Sequence, residues 1–406
     1  MIERSARNAL SEALGDTPVV LIHGPRQSGK STLGQNLDPN RTYVTLDDPI
    51  ALSLAKRDPR AFLQTYPAPV MIDEVQRAPE LFLAIKLEVD KNRTPGKYLL
   101  TGSANVLNLP KLADSLAGRM EIVDLLPFTQ GELELRSDRF VDMAFDDKFE
   151  PQFEPEDLRG IVDRIVRGGF PEASLRSSQS RRDAWFANYV RTLLERDVKD
   201  VAHIDALAQM PLLLKLLAVR AGSVLNASGL ATETGIPYTS LKRYLSLLET
   251  IFLVRMVNTW SSDRSRILTK APKAFLVDTG LLCYLANLDS RSLLGDSLRL
   301  KPVLENFVAM ELLKQSTFGV VRPWLLHLRT IRHLSVDFVL ESRRGDLVGI
   351  QVRANSTLHP DDAEGLRFMR DLAGPSFVRG IVLYTGSEVQ PLDERIVGVP
   401  ISALWG

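Results

Sequence analysis

Cysteine is all but missing from this sequence, which holds one, Cys283, in 406 residues. A single thiol excludes an internal disulfide and any zinc site built from several cysteines. Cys283 lies in the apolar stretch 281–285, so its expected role is that of a small buried hydrophobe and not of a reactive thiol. An excess of charge is missing too: 50 Lys and Arg stand against 50 Asp and Glu. No global field therefore advertises a nucleic-acid or membrane partner, although a neutral sum is compatible with a local basic patch. Long hydrophobic runs are also lacking. None approaches the roughly 18 residues of a membrane span, and the apolar run 210–219 is interrupted by Lys215. One thiol and an N-terminus without signal character give the expectation of a reducing cytoplasm and no membrane partner.

The chain is longer than one hydrophobic core usually serves, which implies about two or three domains. Its 45% apolar and 25% charged residues are those of ordinary globular domains. Residues 1–127 alternate β-branched runs (18–23, 43–46, 69–73, 97–101 and 121–125) with helical stretches. That pattern predicts an α/β unit with a parallel sheet covered on both faces. Residues 142–157 are acidic, interleaved with Phe and Pro, and read as a linker or surface excursion. Helical spacing dominates 159–166, 181–201 and 207–222. After about residue 270 the pattern becomes α+β, with helices near 303–315 and 361–373 and strands near 334–341, 347–353 and 379–384.

The chemistry concentrates near the N-terminus. Gly24-Pro25-Arg26-Gln27-Ser28-Gly29-Lys30-Ser31 fits G-x-x-x-x-G-K-[ST] and follows the expected strand directly, the context that makes the motif a phosphate loop. Its glycines let backbone N–H groups converge on phosphate oxygens, and the following helix aims its positive end at the same anion. Lys30 is expected to reach the β- and γ-phosphates and Ser31 to ligate Mg²⁺, with Thr32 a further phosphate neighbour. The apolar strand 70–72 ends in Asp73 and Glu74. Asp73 is expected in the metal shell, and Glu74 as the group that orients or deprotonates the attacking water. Ser103, after the strand 99–101, either senses the γ-phosphate or belongs to an ordinary Gly-Ser turn. Arg119 is either an arginine finger or a plain surface arginine, and a finger acting in trans requires an oligomer.

The segments GPRQSGKSTL, YVTLDDP, VMIDEVQRAPELF, KYLLTGSAN, SLAGR and LLPFTQGE occur in that order, followed by GGFPEA, ERDV, YLSLLETIFLV, VDTGLL and VDFVLE. Together they resemble an uncharacterised prokaryotic family of AAA-superfamily ATPases with a C-terminal domain of unknown function similar to a restriction-endonuclease fold. The resemblance spans nearly the whole chain. It implies Walker A at 24–32, Walker B at Asp73 and Glu74, sensor 1 at Ser103 and a role for Arg119.

Residues 227–250 read as a helix, a turn at Gly235-Ile236-Pro237 and a second helix capped by Thr239 or Ser240. A strand over 252–257 would complete a winged-helix outline. Lys242 and Arg243 face outward, and either contact DNA or decorate a packing module. Further on, Glu305, Asp337, Gln351 and Arg353 follow a nuclease-like arrangement in which acids hold Mg²⁺ and a lysine assists the nucleophile. Here the acid expected after Asp337 is Gln351 and the expected lysine is Arg353; arginine stays protonated and cannot act as a base. His327 and His333 lack ligand spacing and are expected in solvated or capping roles. Trp185 and Tyr189 are expected to share one helix face, and Glu195-Arg196-Asp197 to form a charged turn.

The sequence thus leads to three expected parts: an AAA-type P-loop domain at 1–150, a helical and winged-helix section at 151–265, and a degenerate nuclease-like domain at 266–406. The expected function is Mg²⁺-dependent ATP binding and hydrolysis coupled to domain rearrangement, with DNA, a protein client or a second copy as partner. The competing readings are a nucleotide-gated binding module with little turnover and an ATP-gated nuclease.

Overall fold

The computed structural model describes residues 2–103, 116–197, 207–261, 271–330 and 334–406. His333 and part of the KYLLTGSAN and SLAGR segments fall outside them, as do the side chains of Arg196 and Asp197. Two compact units emerge, one comprising residues 3–127 with Thr250–Phe252, the other 128–249 with 253–406.

In the first unit, five strands form one parallel sheet: β1 (Val19–His23), β2 (Thr42–Thr45), β3 (Val70–Asp73), β4 (Tyr98–Gly102) and β5 (Met120–Asp124). Their order is β2-β3-β4-β1-β5. β1, β3 and β4 are buried along their whole length, which explains why they read as continuous apolar runs instead of alternating ones. Among the described residues, five helices accompany the sheet: α1 (Ala6–Asp16), α2 (Lys30–Leu37), α3 (Pro49–Arg57), α4 (Pro59–Thr65) and α5 (Leu81–Lys91). Asp48 and Asp58 cap α3 and α4, each followed by proline at the first helical position, where a missing N–H costs nothing. One core cluster joins Leu21, Ile72 and Leu100 of the sheet to Phe62, Phe82 and Ile85. The strands expected from the sequence are all present, within one residue or two of their expected ends.

The second unit begins with α6 (Gln130–Glu134), α7 (Phe140–Phe145), α8 (Leu158–Arg167), α9 (Pro171–Ser174), α10 (Gln179–Thr192) and α11 (Met210–Val219). Next come α12 (Ala227–Thr234), α13 (Tyr238–Thr250), β6 (Val254–Val257), β7 (Lys273–Leu276), α14 (Thr279–Ala286), α15 (Ser290–Leu294) and α16 (Ser297–Phe318). A six-stranded sheet closes the chain: β8 (Trp324–Arg329), β9 (Ser335–Glu341), β10 (Leu347–Arg353), β11 (Phe377–Tyr384), β12 (Gln390–Asp393) and β13 (Ile396–Pro400), with α17 (Glu364–Ala373) between β10 and β11. Its order is β12-β13-β11-β10-β9-β8. β10, β11 and β13 run parallel, while β8, β9 and β12 are antiparallel to their neighbours.

The boundary expected near residue 150 falls instead at 127/128, and α16 supplies the reason. Its buried polar side chains bind the backbone that follows Pro127. Lys314 donates to the Phe128 carbonyl at 2.8 Å, Glu311 accepts from the Gln130 N–H at 2.9 Å and Gln315 from the Val141 N–H at 3.1 Å. Asn306 does the same for β7, exchanging two hydrogen bonds with Leu276. Buried backbone groups must be paired, so these side chains tie 128–145 and β7 into one body with α16. The stretch 142–157, expected as a linker or surface excursion, is held at its start: Asp142 accepts from the Val320 and Val321 N–H groups.

Candidate functional site

Leaving β1, the chain enters a turn that only special residues permit. A Cβ on Gly24 would stand 2.2 Å from the Leu125 carbonyl oxygen, and Gly29 holds φ +93°. Gln27 adopts φ +64°, so the loop curls as a phosphate cradle requires. Ser28 is fully buried, and its hydroxyl lacks a hydrogen-bond partner among the described residues. Lys30 opens α2, is 5% exposed, and turns its ammonium back onto the Gly24 and Pro25 carbonyls at 3.1 and 2.8 Å. Pro25 is buried, Arg26 half-buried, and Gln27 and Thr32 exposed. Arg4 braces the cradle from outside, donating to the Ser28 and Leu126 carbonyls at 2.7 Å each.

At the end of β3, Asp73 meets this loop directly. Its Oδ1 accepts from Ser31 Oγ at 2.8 Å and, more tightly, from Thr101 Oγ1. Oδ2 accepts from the Tyr43 hydroxyl at 3.0 Å. Desolvation, reinforced by the Asp73 charge and hydrogen bond, pushes the Tyr43 phenol up to about 12. Glu74 follows at φ +59°, with its N–H on Thr101 Oγ1 at 3.1 Å. One threonine hydroxyl therefore fixes both halves of the acid pair. Glu74 Oε2 is gripped by the Gln76 side-chain amide, which also donates to Ser103 Oγ at 3.0 Å. Ser103 is buried and lies 3.5 Å from the same carboxylate oxygen. The geometry thus brings together Lys30, Ser31, Asp73, Glu74 and Ser103.

Arg119 is not among them. It immediately precedes β5, whose Met120 pairs with Val19 while Asp124 pairs with His23. Arg119 therefore lies at the opposite end of the sheet from the phosphate loop, roughly five residues or 16 Å of strand away. Its guanidinium bonds Asp90 at 2.6 Å and the Ala117 carbonyl at 3.1 Å. The expectation of a catalytic arginine is corrected for the chain's own site, because the start of a parallel strand cannot also be its finish.

The residues fit a bound nucleotide and its metal. An unpartnered buried hydroxyl, a loop with room only for glycine and a buried ammonium are what a phosphate group satisfies. The Ser31–Asp73 contact joins the two protein oxygens that would flank Mg²⁺. Among the described residues, no group of three or more His, Cys, Asp or Glu could hold a metal by itself. A divalent ion here would depend on phosphate oxygens for the rest of its shell, as Mg²⁺ commonly does.

The second unit holds the other expected constellation, with an unexpected member. Glu305 of α16 and Asp337 of β9 do approach each other, but Lys273 of β7 stands between them, at 2.5 Å from Glu305 and 3.8 Å from Asp337. All three are buried. Asp337 also accepts from the Val352 N–H at 2.8 Å. Burial and the Asp337 charge raise Glu305 to about 7, against the pull of Lys273. The Gln351 Oε1 is buried without a partner among the described residues, and Arg353 pairs with Asp362 while lying 4.0 Å from Asp337. A lysine ammonium thus occupies the space between the two acids. One ammonium offsets one of the two carboxylates, and the raised Glu305 pKa favours the neutral form of that acid.

Of the remaining expectations, α12, Gly235 at φ +70° and α13 form the two-helix unit, and β6 pairs antiparallel with β7. α13 begins at Tyr238, so neither Thr239 nor Ser240 caps it. Leu241, Leu245 and Leu248 are buried, whereas Lys242 and Arg243 are exposed. His327, expected in a solvated or capping role, is instead buried beside Thr259, with Nε2 3.2 Å from its hydroxyl. Trp185 and Tyr189 stack at 4.9 Å, and Cys283 is buried. Asp278, which the sequence left unmarked, joins the GGFPEA and VDTGLL segments: it caps α14 through the Leu281 N–H and accepts from the Gly169 N–H at 2.6 Å. No helix among the described residues is long and apolar enough to cross a membrane.

The strand order, the cradle after β1 and the acids after β3 define the first unit as an AAA-type P-loop domain, the class that binds ATP. Comparison with known proteins agrees: residues 16–134 match an AAA domain, 158–292 a domain of unknown function (DUF8612) and 300–404 another (DUF4143). The chain is 29% identical over 401 residues to the uncharacterized proteins Rv2008c of Mycobacterium tuberculosis and Mb2031c of Mycobacterium bovis, covering 98% of its own length and 83% of theirs. Among solved structures it is similar to the Walker-type ATPase PABY2304 of Pyrococcus abyssi, with TM-score 0.41 and 16% identity over 70% of this chain and 96% of that one. A STAND ATPase with a tetratricopeptide-repeat sensor, PH0952 of Pyrococcus horikoshii, aligns at TM-score 0.23 and 11% identity over 76% and 48% of the two chains.

Proposed function

We propose that this protein is a Mg²⁺-dependent ATPase whose Glu74 activates the attacking water. The observation that carries the reading is the junction of the phosphate loop and the acid pair, where Ser31 Oγ lies 2.8 Å from Asp73 Oδ1 and Glu74 follows directly. Lys30, withdrawn from bulk water, exchanges its carbonyl contacts for phosphate oxygens. Ser31 and Asp73 would hold a metal, which would supply charge stabilisation for the transferring phosphoryl group. Thr101 keeps both acids aligned, and Ser103 marks the γ-phosphate side of Glu74. The cluster at Lys273, Glu305 and Asp337 weighs against the nuclease reading, because an ammonium already occupies the space between the acids that would bind a metal.

Purified Lys30→Ala and Glu74→Gln proteins test this. Lys30→Ala should weaken ATP binding at least about 100-fold by calorimetry. Glu74→Gln should bind ATP like the wild type while turnover drops on the order of 10²- to 10⁴-fold. Unchanged turnover in Glu74→Gln protein would refute the role given to that residue.

A further inference from the structure

Glu74 does not stand alone at the end of β3. The chain continues into a short 3₁₀ turn, Val75–Arg77, which returns the Gln76 side chain to the carboxylate two residues before it. The Gln76 amide nitrogen donates both to Glu74 Oε2 and to Ser103 Oγ. Its own Oε1 is buried and has no hydrogen-bond partner among the described residues, so the side chain is fixed by its donor end alone. Glu74 is also constrained on the backbone side, by φ +59° and by its N–H on Thr101. With one carboxylate oxygen held by the amide, the other is the one left to take a proton from water.

From this geometry we infer that Gln76 is a positioning residue for hydrolysis, one that aims the Glu74 carboxylate and links it to Ser103. The inference rests on the reading of Glu74 as the base and goes beyond it. A carboxylate on a two-carbon stem has several rotamers, and only some direct an oxygen at a water in line with the γ-phosphate. A two-pronged amide contact selects one of them without touching the nucleotide. Gln76 therefore affects turnover and leaves nucleotide affinity alone, because the cradle at 24–31 and Asp73 make no use of it.

The test uses the full-length protein with Gln76→Met, which keeps the length of the side chain and removes its donor, and with Gln76→Ala. Calorimetry with MgATP, steady-state hydrolysis and thermal unfolding are measured for each, and unfolding also for Glu74→Gln with and without Gln76→Met. Both variants should keep ATP affinity and KM within about twofold of wild type, while kcat falls on the order of 10- to 100-fold. The unfolding midpoint of Glu74→Gln/Gln76→Met should drop by less than the sum of the single losses, which reads the contact without reference to turnover. Wild-type kcat in Gln76→Met protein, a matching loss of ATP affinity, or strictly additive midpoints would each overturn the inference. If Glu74→Gln abolishes turnover while Gln76→Met does not, the base stands and only the role of Gln76 falls. If the wild type hydrolyses ATP no faster than the buffer control, or Glu74→Gln hydrolyses it as fast as the wild type, both fall together.

Discussion

At the scale of single residues, the site turns on oxygen atoms that share one acid. Asp73 receives three hydroxyls, from Ser31, Thr101 and Tyr43, and only the first belongs to a recognised nucleotide motif. Tyr43 sits on β2, the strand next to β3, where its hydroxyl fixes the oxygen of Asp73 that Ser31 does not touch. Residues that orient a metal ligand commonly alter affinity 10- to 100-fold when removed. Tyr43→Phe should therefore weaken MgATP binding on the order of 10-fold and leave ATP binding in EDTA nearly unchanged, by calorimetry in both conditions. An equal loss with and without the metal would assign Tyr43 to the nucleotide instead. Neither Tyr43 nor Gln76 could be chosen from the sequence, because their roles depend on which strand lies beside β3 and on how the chain turns after Glu74.

At the scale of elements, β7 and α16 decide what the second unit can do. β7 is four residues long and carries no alternation that marks it as a strand. Its position beside α16 places Lys273 against Glu305. A carboxyl whose folded pKa lies at about 7, above its usual 4.5, contributes stability that is fully present below about 4.5 and is lost as pH rises through 7. Thermal unfolding across pH 5–8 should thus show the wild-type midpoint falling, and Glu305→Gln protein should show a flatter profile over the same window. Lys273→Met, which strands a buried carboxylate, should destabilise by about 3–5 kcal/mol, and adding Glu305→Gln should restore part of that loss. The acids of this cluster were legible in the sequence as a nuclease-like set, but their cation was not, since 32 residues separate Lys273 from Glu305.

At the scale of the whole molecule, the far placement of Arg119 bears on assembly. A residue at the start of β5 cannot serve the phosphate loop of its own chain, so any role in hydrolysis must come from a second copy. Arg119→Ala should then lower turnover of the pure variant on the order of 10³-fold, the lower range for arginine fingers. Mixing Arg119→Ala with Lys30→Ala protein should restore part of the activity, because each supplies what the other lacks. Mixtures as inactive as the separate proteins, or Arg119→Ala protein with wild-type turnover, would make it a surface arginine paired with Asp90.

The sequence by itself determined the local chemistry: the loop at 24–31, the strand ending in Asp73 and Glu74, the helical periodicity of 159–166 and 181–192, the five strands of the first sheet, and β9, β10 and β11 of the second. These are properties of neighbours in the chain, where glycine conformation, capping and the spacing of apolar side chains act over a few residues. Tertiary structure alone decided which strand flanks β3, where the first unit ends, that Gln76 grips Glu74, that Asp278 binds Gly169 and that Lys273 fills the space between two acids. Those outcomes depend on buried polar groups finding partners far away in sequence, and local periodicity does not encode a partner's position.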